Sequence, residues 1–330
     1  MSLTLLIILI ILNIYFSLNY NFIAKKINIF DHPDNQLKIH KKKTPLLGGL
    51  FVIVNIVIIV LFDQLIQEIL IFEKKGEIFS FFKFIIFFSL IGLYDDKFKI
   101  SFSIRIILGT LLTLMVILIN QNLRIEHLQF SFYEHEILLR NLTIFFSLFS
   151  ILAFVHATNM FDGINSQLIT FYIILNTFLF LNSNFSMIYL YLYPIIISLF
   201  ILNFNGRIFL GDGGSYGLGA LYSFFLIYEY TAYQNIIFAD VILILALIPG
   251  LELVRLSIYR LFKGRNIFSG DLEHMHHLLF KKFGQFRTNI IVFFMIITPI
   301  IFMVILKTNF HFIFFISLFF YLIFIYFLKK

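Results

Sequence analysis

Apolar stretches of about 20 residues, each long enough to cross the hydrocarbon layer of a bilayer, recur along this chain between short polar breaks. The pattern predicts about eleven helical spans. They lie near Leu3–Phe22, Leu46–Phe62, Phe79–Leu93, Ser103–Ile119, Asn141–Ala157, Gln167–Leu181, Met187–Leu202, Tyr216–Tyr230, Ile236–Leu256, Asn289–Leu306 and Phe310–Leu328. Between the fourth and fifth, Leu123-Arg124-Ile125-Glu126-His127-Leu128 alternates apolar and polar, so Gln121 to Arg140 is expected to form a small hairpin. No internal repeat and no long linker interrupts the series. The expected architecture is a single all-α, polytopic integral-membrane domain over residues 1–330.

Composition agrees. Hydrophobic residues make up 60% of the 330 and charged residues 13%, against about a quarter charged in a soluble protein. The first apolar segment lacks a basic leader and a small-residue cleavage site, so it reads as a span rather than a removed signal. There is no Cys, which excludes disulfides and thiolate chemistry. A net charge of +7 would point to nucleic acid in a soluble chain. Here 19 of the 25 Lys and Arg fall on one side of the predicted spans. The positive-inside rule makes that side cytoplasmic. The N-terminus is then expected outside and the C-terminus inside, with the bilayer and not nucleic acid as the surrounding partner.

Four polar breaks on that same side carry acidic residues: Asp95-Asp96, Asn159-Met160-Phe161-Asp162-Gly163, Gly211-Asp212-Gly213-Gly214-Ser215 and Asp271-Leu272-Glu273-His274-Met275-His276-His277. A carboxylate costs roughly 2.5–3.5 kcal/mol at bilayer depth, so four such breaks at one face point to one shared site. Adjacent Asp95 and Asp96 repel, which suits a general base or a cation ligand; a solvated helix end is the plainer reading. Asn159 and Asp162 share a helix face, or simply end a helix at Gly163. The glycine amides around Asp212 form an anion site at a helix start, or an ordinary capped turn. His274, His276 and His277, near Arg260, Lys263 and Arg265, suit phosphate better than zinc, or form a solvated interfacial run. Lys38 and His40 in the first loop suit substrate phosphate or lipid headgroups. Together the set fits a Mg2+-dependent reaction on phosphates, with one cytosolic and one membrane-held substrate.

In order along the chain these residues resemble the polyprenyl-phosphate N-acetylhexosamine-1-phosphate transferases, the glycosyltransferase family 4 type enzymes that start peptidoglycan, teichoic acid and O-antigen carriers. The resemblance rests on Asp31-x-Pro33 with Lys38-x-His40, Pro45 and Gly48-Gly49; on Asp95-Asp96; on Asn159-x-x-Asp162-Gly163; on Gly211-Asp212-x-Gly214-Ser215 with Leu218-Gly219; and on His274-x-His276-His277. It implies transfer of a sugar-1-phosphate, GlcNAc-1-phosphate or a related one, from a UDP-N-acetylhexosamine to undecaprenyl phosphate, with release of UMP. It implies Mg2+ (or Mn2+) on Asp212, and Asp95, Asp96 and Asp162 as catalytic carboxylates. Asn159 and Asn165 would belong to the nucleotide pocket, and the three histidines would contact the diphosphate. It also implies a multi-pass protein of a bacterial cytoplasmic membrane, with a homodimer allowed. The chain departs from the family at His156, where Asn is usual, at Asn165 and Ser166 in the Asp-Gly-x-Asp-Gly segment, and at Gln36-Leu37.

Other readings stay open from the sequence. The peptidoglycan-precursor enzyme usually carries a third consecutive His, where Leu278 stands here. A secondary transporter would put its breaks near the midplane, often in paired halves. A non-catalytic homologue would keep the fold and bind without turnover.

Overall fold

A computed structural model describes residues 2–33, 42–66, 75–183, 186–232, 237–266 and 273–329. The chain is a bundle of helices. They are α1 (Ser2–Ile27), α2 (Gly48–Ile66), α3 (Lys75–Phe98), α4 (Phe102–Ile119), α5 (Thr143–Phe161), α6 (Gln167–Asn182), α7 (Ser186–Phe204), α8 (Gly211–Ala232), α9 (Ala239–Leu245), α10 (Leu247–Phe262), α11 (Met275–Val304) and α12 (Phe310–Lys329). Each of the eleven predicted spans falls on a helix or, for the ninth, on a bent pair. Eight helices among the described residues are long and apolar enough to cross a membrane, and a ninth span results if the pair α9–α10 counts as one. α6 is shorter, and α8 is apolar but interrupted by glycines and polar residues. The protein is an all-α, multi-span membrane protein.

α8 is the pillar of the bundle. Every residue from Gly213 to Tyr230 is buried, and the helix packs against α2, α3 and α5. Small residues allow that closeness, as between membrane helices generally. A Cβ on Gly92 of α3 would lie 2.2 Å from the carbonyl oxygen of Asp212. The peripheral helices α1 and α12 instead turn large apolar side chains outward, among them Leu18, Phe22, Phe315 and Phe320.

Two departures from the predicted spans shape the site. The ninth bends by 73° between α9 and α10. Pro249 is the cause: it lacks an N–H and its ring clashes with the carbonyl four residues back, so the helix restarts at Leu247 with Pro249 inside its first turn. The tenth starts earlier than its apolar stretch. α11 runs from Met275 and breaks at Gly284, whose φ of 74° interrupts the helical backbone. The histidine run therefore opens a helix of its own before the apolar part begins.

The expected hairpin is present as antiparallel strands. The first loop adds a pair of its own, so in chain order the strands are β1 (Phe30–Asp31), β2 (Thr44–Pro45), β3 (His127–Phe130) and β4 (Tyr133–Leu138). Tyr230 of α8 donates to the His127 carbonyl (2.9 Å), and Asp240 accepts from the Ser131 amide (2.9 Å), fastening the β3–β4 hairpin to one end of the bundle. At the other end, Leu46 bridges Phe209 next to the start of α8. The first three acidic breaks, and the described part of the fourth from Glu273 onward, lie at that second end.

Candidate active site

Asp95 and Asp96 close α3. A tight connector, with Ser101 capping the next helix, puts Arg105 in the first turn of α4 facing back at them. The Arg105 Nη1 donates to Asp95 Oδ2 (2.6 Å) and to Asp212 Oδ2 (3.2 Å). From α5, Asn159 Nδ2 donates to Asp212 Oδ1 (2.8 Å) and to Ser215 Oγ (2.7 Å). Three breaks far apart in sequence thus meet on Asp212. It remains partly exposed, whereas Asp95 and Asp96 are buried.

Asp96 does different work from its neighbour. Its carboxylate accepts from the backbone amides of Asp212 (2.9 Å) and Gly213 (3.0 Å). The glycine amides that read as an anion site are therefore already filled, by a side chain of α3. Gly211 makes room for this: its φ is +68°, and a Cβ there would lie 2.5 Å from Asp96 Oδ2.

A cavity of about 570 Å³ opens beside this cluster. Asn159, Asp162 and Gly163 line it from the end of α5, and His274, His276 and His277 from the start of α11. His276 is packed onto Gly163 so closely that a Cβ there would lie 1.7 Å from Nε2. Burial, reinforced by the charges on Asp212 and Asp96, pushes the Asp162 carboxyl up to about 8. The opposite wall is apolar, with Phe102 and Ile106 of α4 and Phe145, Leu148, Phe149 and Leu152 of α5. Phe145 and Phe149 are at the same time exposed on the outer surface of the bundle.

The other predicted residues fall elsewhere. Asn165 turns toward Gly206, and its carbonyl accepts from Asn289 (3.0 Å) behind the cavity. Arg265 is exposed just past the end of α10. Lys38 and His40 lie outside the described residues, although β1 and β2 bring the base of their loop beside α8.

Two lining groups were not singled out from sequence, Arg105 and Tyr216, while His156 stood out only as a departure from the family and Arg260 only as one of three basic residues near the histidines. Arg105 could have been found, because an Arg in the first turn of an otherwise apolar span is a functional signal by itself. Arg260 could be told from Lys263 and Arg265 only by which way it points.

The donor set can be tested against a metal. Among the described residues no three His, Asp or Glu side chains converge as a preformed cage. Four carboxylates nevertheless gather near one arginine, and Asp162 feels the excess charge. Mg2+ needs only one or two protein carboxylates and fills its shell with water and phosphate oxygens. Asp212, held from two sides yet partly open, fits that role.

An all-α membrane bundle with a carboxylate cluster and a histidine-lined cavity at one end is the frame of a membrane-embedded group-transfer enzyme. Residues 78–230 match glycosyl transferase family 4. Over 271 residues the chain is 28% identical to an undecaprenyl-phosphate alpha-N-acetylglucosaminyl 1-phosphate transferase of Escherichia coli O157:H7, covering 78% of this chain and 71% of that protein. Proteins of the same description from Yersinia pestis (26% over 282 residues, 81% and 74% covered) and Thermotoga maritima (27% over 277 residues, 82% and 79%) are also similar. These matches bear out the resemblance to the polyprenyl-phosphate N-acetylhexosamine-1-phosphate transferases.

Proposed function

We propose that the protein transfers an N-acetylhexosamine-1-phosphate, GlcNAc-1-phosphate first among the candidates, from its UDP-sugar to undecaprenyl phosphate. An oxygen of the lipid phosphate attacks the β-phosphorus of the donor. The bond between the bridging oxygen and that phosphorus breaks, UMP leaves, and a lipid diphosphate sugar forms. The observation that carries this reading is the meeting of Asp95, Arg105, Asn159 and Asp212 beside a cavity that is polar on one wall and apolar on the other. Such a cavity suits an anionic headgroup on an isoprenoid tail, with the tail entering between α4 and α5 past Phe145 and Phe149.

Asp95 is the base that takes the proton of the lipid phosphate, and Arg105 holds Asp95 toward Asp212. His274, His276 and His277, with Arg260, receive the donor diphosphate. Asn159 fixes the Asp212 carboxylate. Asp212 would hold Mg2+, which would supply neutralisation of charge on the diphosphate, something a phosphoryl transition state needs more than covalent help. The positive-inside charge bias supports a cytoplasmic position for this end of the bundle, where UDP-sugars are made, in a bacterial inner membrane.

The test is extraction of label from UDP-[14C]GlcNAc into the organic phase, with membranes holding the protein, undecaprenyl phosphate and Mg2+, in a host without its own starter enzymes. Wild type should transfer label. Asp212→Ala should lose at least about 10²–10³-fold, the scale of one preorganised electrostatic group, even at high Mg2+. Lys42→Ala, in an exposed loop, should do little. Equal losses in both variants would undo the assignment to Asp212, and absence of label for every UDP-N-acetylhexosamine would undo the function.

A further inference from the structure

Glu252 lies outside every motif of the site, yet it is 1% exposed and engages four groups at once. Its Oε1 accepts from Arg255 Nη2 (2.8 Å) and from the Met275 backbone amide (2.8 Å), and lies 3.6 Å from His274 Nδ1. Its Oε2 accepts from Arg255 Nε (3.3 Å) and from the Tyr321 hydroxyl. Arg255 in turn donates from Nη2 to the Glu273 carbonyl (2.8 Å) and from Nε to Tyr321 (2.9 Å). The pair therefore grips the backbone on both sides of His274, at residue 273 and at residue 275.

This arrangement answers a local need. His274 occupies the capping position of α11, but its side chain makes no capping bond. The exposed amides of a helix start call for an acceptor, preferably an anion. Glu252 supplies it from another helix, which leaves the imidazole of His274 free of that task and turned to the cavity. The rings of His274, His276 and His277 lie within 4.4 to 5.8 Å of one another, so fixing the first turn of α11 fixes all three. Replacing a buried ion pair with apolar residues is often harmless, so stability alone does not explain one placed here.

We infer that Glu252, together with Arg255, is a positioning pair that presents the three histidines to the diphosphate of the donor. The inference rests on the transfer reading above for its consequence, but not for its geometry.

The experiment compares Glu252→Gln and Arg255→Lys with wild type by two readouts. The first is the rate of carbethoxylation of each histidine by diethylpyrocarbonate, followed by mass spectrometry on the purified protein in detergent. Both variants should change the rates at His274 and His276 severalfold and leave exposed His135 unchanged. The second is steady-state transfer. The variants should raise KM for the UDP-sugar about 10-fold or more, the scale on which loss of a residue orienting a functional histidine acts. KM for undecaprenyl phosphate should hold, and Glu252→Asp should restore part of the loss. In a Glu252→Gln/His274→Ala double variant the losses should fall short of multiplying. Unchanged histidine rates would overturn the positioning role while leaving the transfer reading intact. Changed rates without any transfer by wild type would keep the positioning and sink the transfer reading. Arg255→Lys keeps the charge, so it covers the case in which Glu252→Gln fails to fold.

Discussion

Gly163 shows how tightly single residues are specified here. The Cα of Gly163 is a contact surface for the His276 ring, so even one methyl group must displace the ring or the turn. Gly163→Ala should cost about 1–3 kcal/mol if the turn gives way, as overpacking does. If the ring moves instead, activity should fall with little change in thermal stability. Melting temperature and label transfer on the same preparation separate the two, and a variant normal in both would remove the contact from the account. Three residues on, Ser166 stands where the family's glycine would be, and its φ is +68°. Ser166 keeps the left-handed turn with help: its amide donates to Asn203 Oδ1, and Asn289 donates to its hydroxyl (2.8 Å). Of the family departures, this one is accommodated by visible partners.

Among elements, α8 and α3 depend on each other through Asp96. The first amides of any helix lack intrahelical partners, and in α8 two of them are satisfied by a carboxylate from α3. Asp96→Ala would orphan two buried amides, at about 1–3 kcal/mol each. It should therefore lower the thermal stability in detergent as well as the activity. Asp95→Ala should mainly lower activity, since its carboxylate pairs with the Arg105 guanidinium rather than with a helix end. Equal melting temperatures for the two variants would argue against the division. The same scale explains the reach of α11. A helix that begins at His274 and breaks at Gly284 holds the histidines over the site while the rest of the chain runs on through Pro299 to Val304.

For the molecule as a whole, the proposed reaction exchanges one phosphoanhydride for another, so its equilibrium constant should lie near one. Excess UMP should therefore release UDP-sugar from the labelled lipid product. A label that stays in the organic phase under saturating UMP would contradict a direct exchange. The two ends of the bundle have separate tasks. The β3–β4 hairpin is fastened to α8 and α9 at one end, by Tyr230 and Asp240, and the carboxylates and histidines meet at the other. α8 joins both ends through a wholly buried run from Gly213 to Tyr230.

The helices, the hairpin and the end at which the chemistry gathers were legible from the chain alone. Apolar length, period-two alternation and charge bias are local properties, and each is readable without a partner. The chain also marked Asp95, Asp162, Asp212 and the histidines, because polar groups at the ends of apolar spans are costly and so conspicuous. How those residues divide the work depends on packing between helices. Whether a carboxylate faces a cavity or a helix end depends on which helix lies opposite, so Asp95 and Asp96, adjacent in sequence, part company in space. The same holds for Arg260 against Arg265, and for Glu252, a single acid in a span, whose place beside Met275 is set by a 73° bend that Pro249 makes and a helix start some twenty residues away.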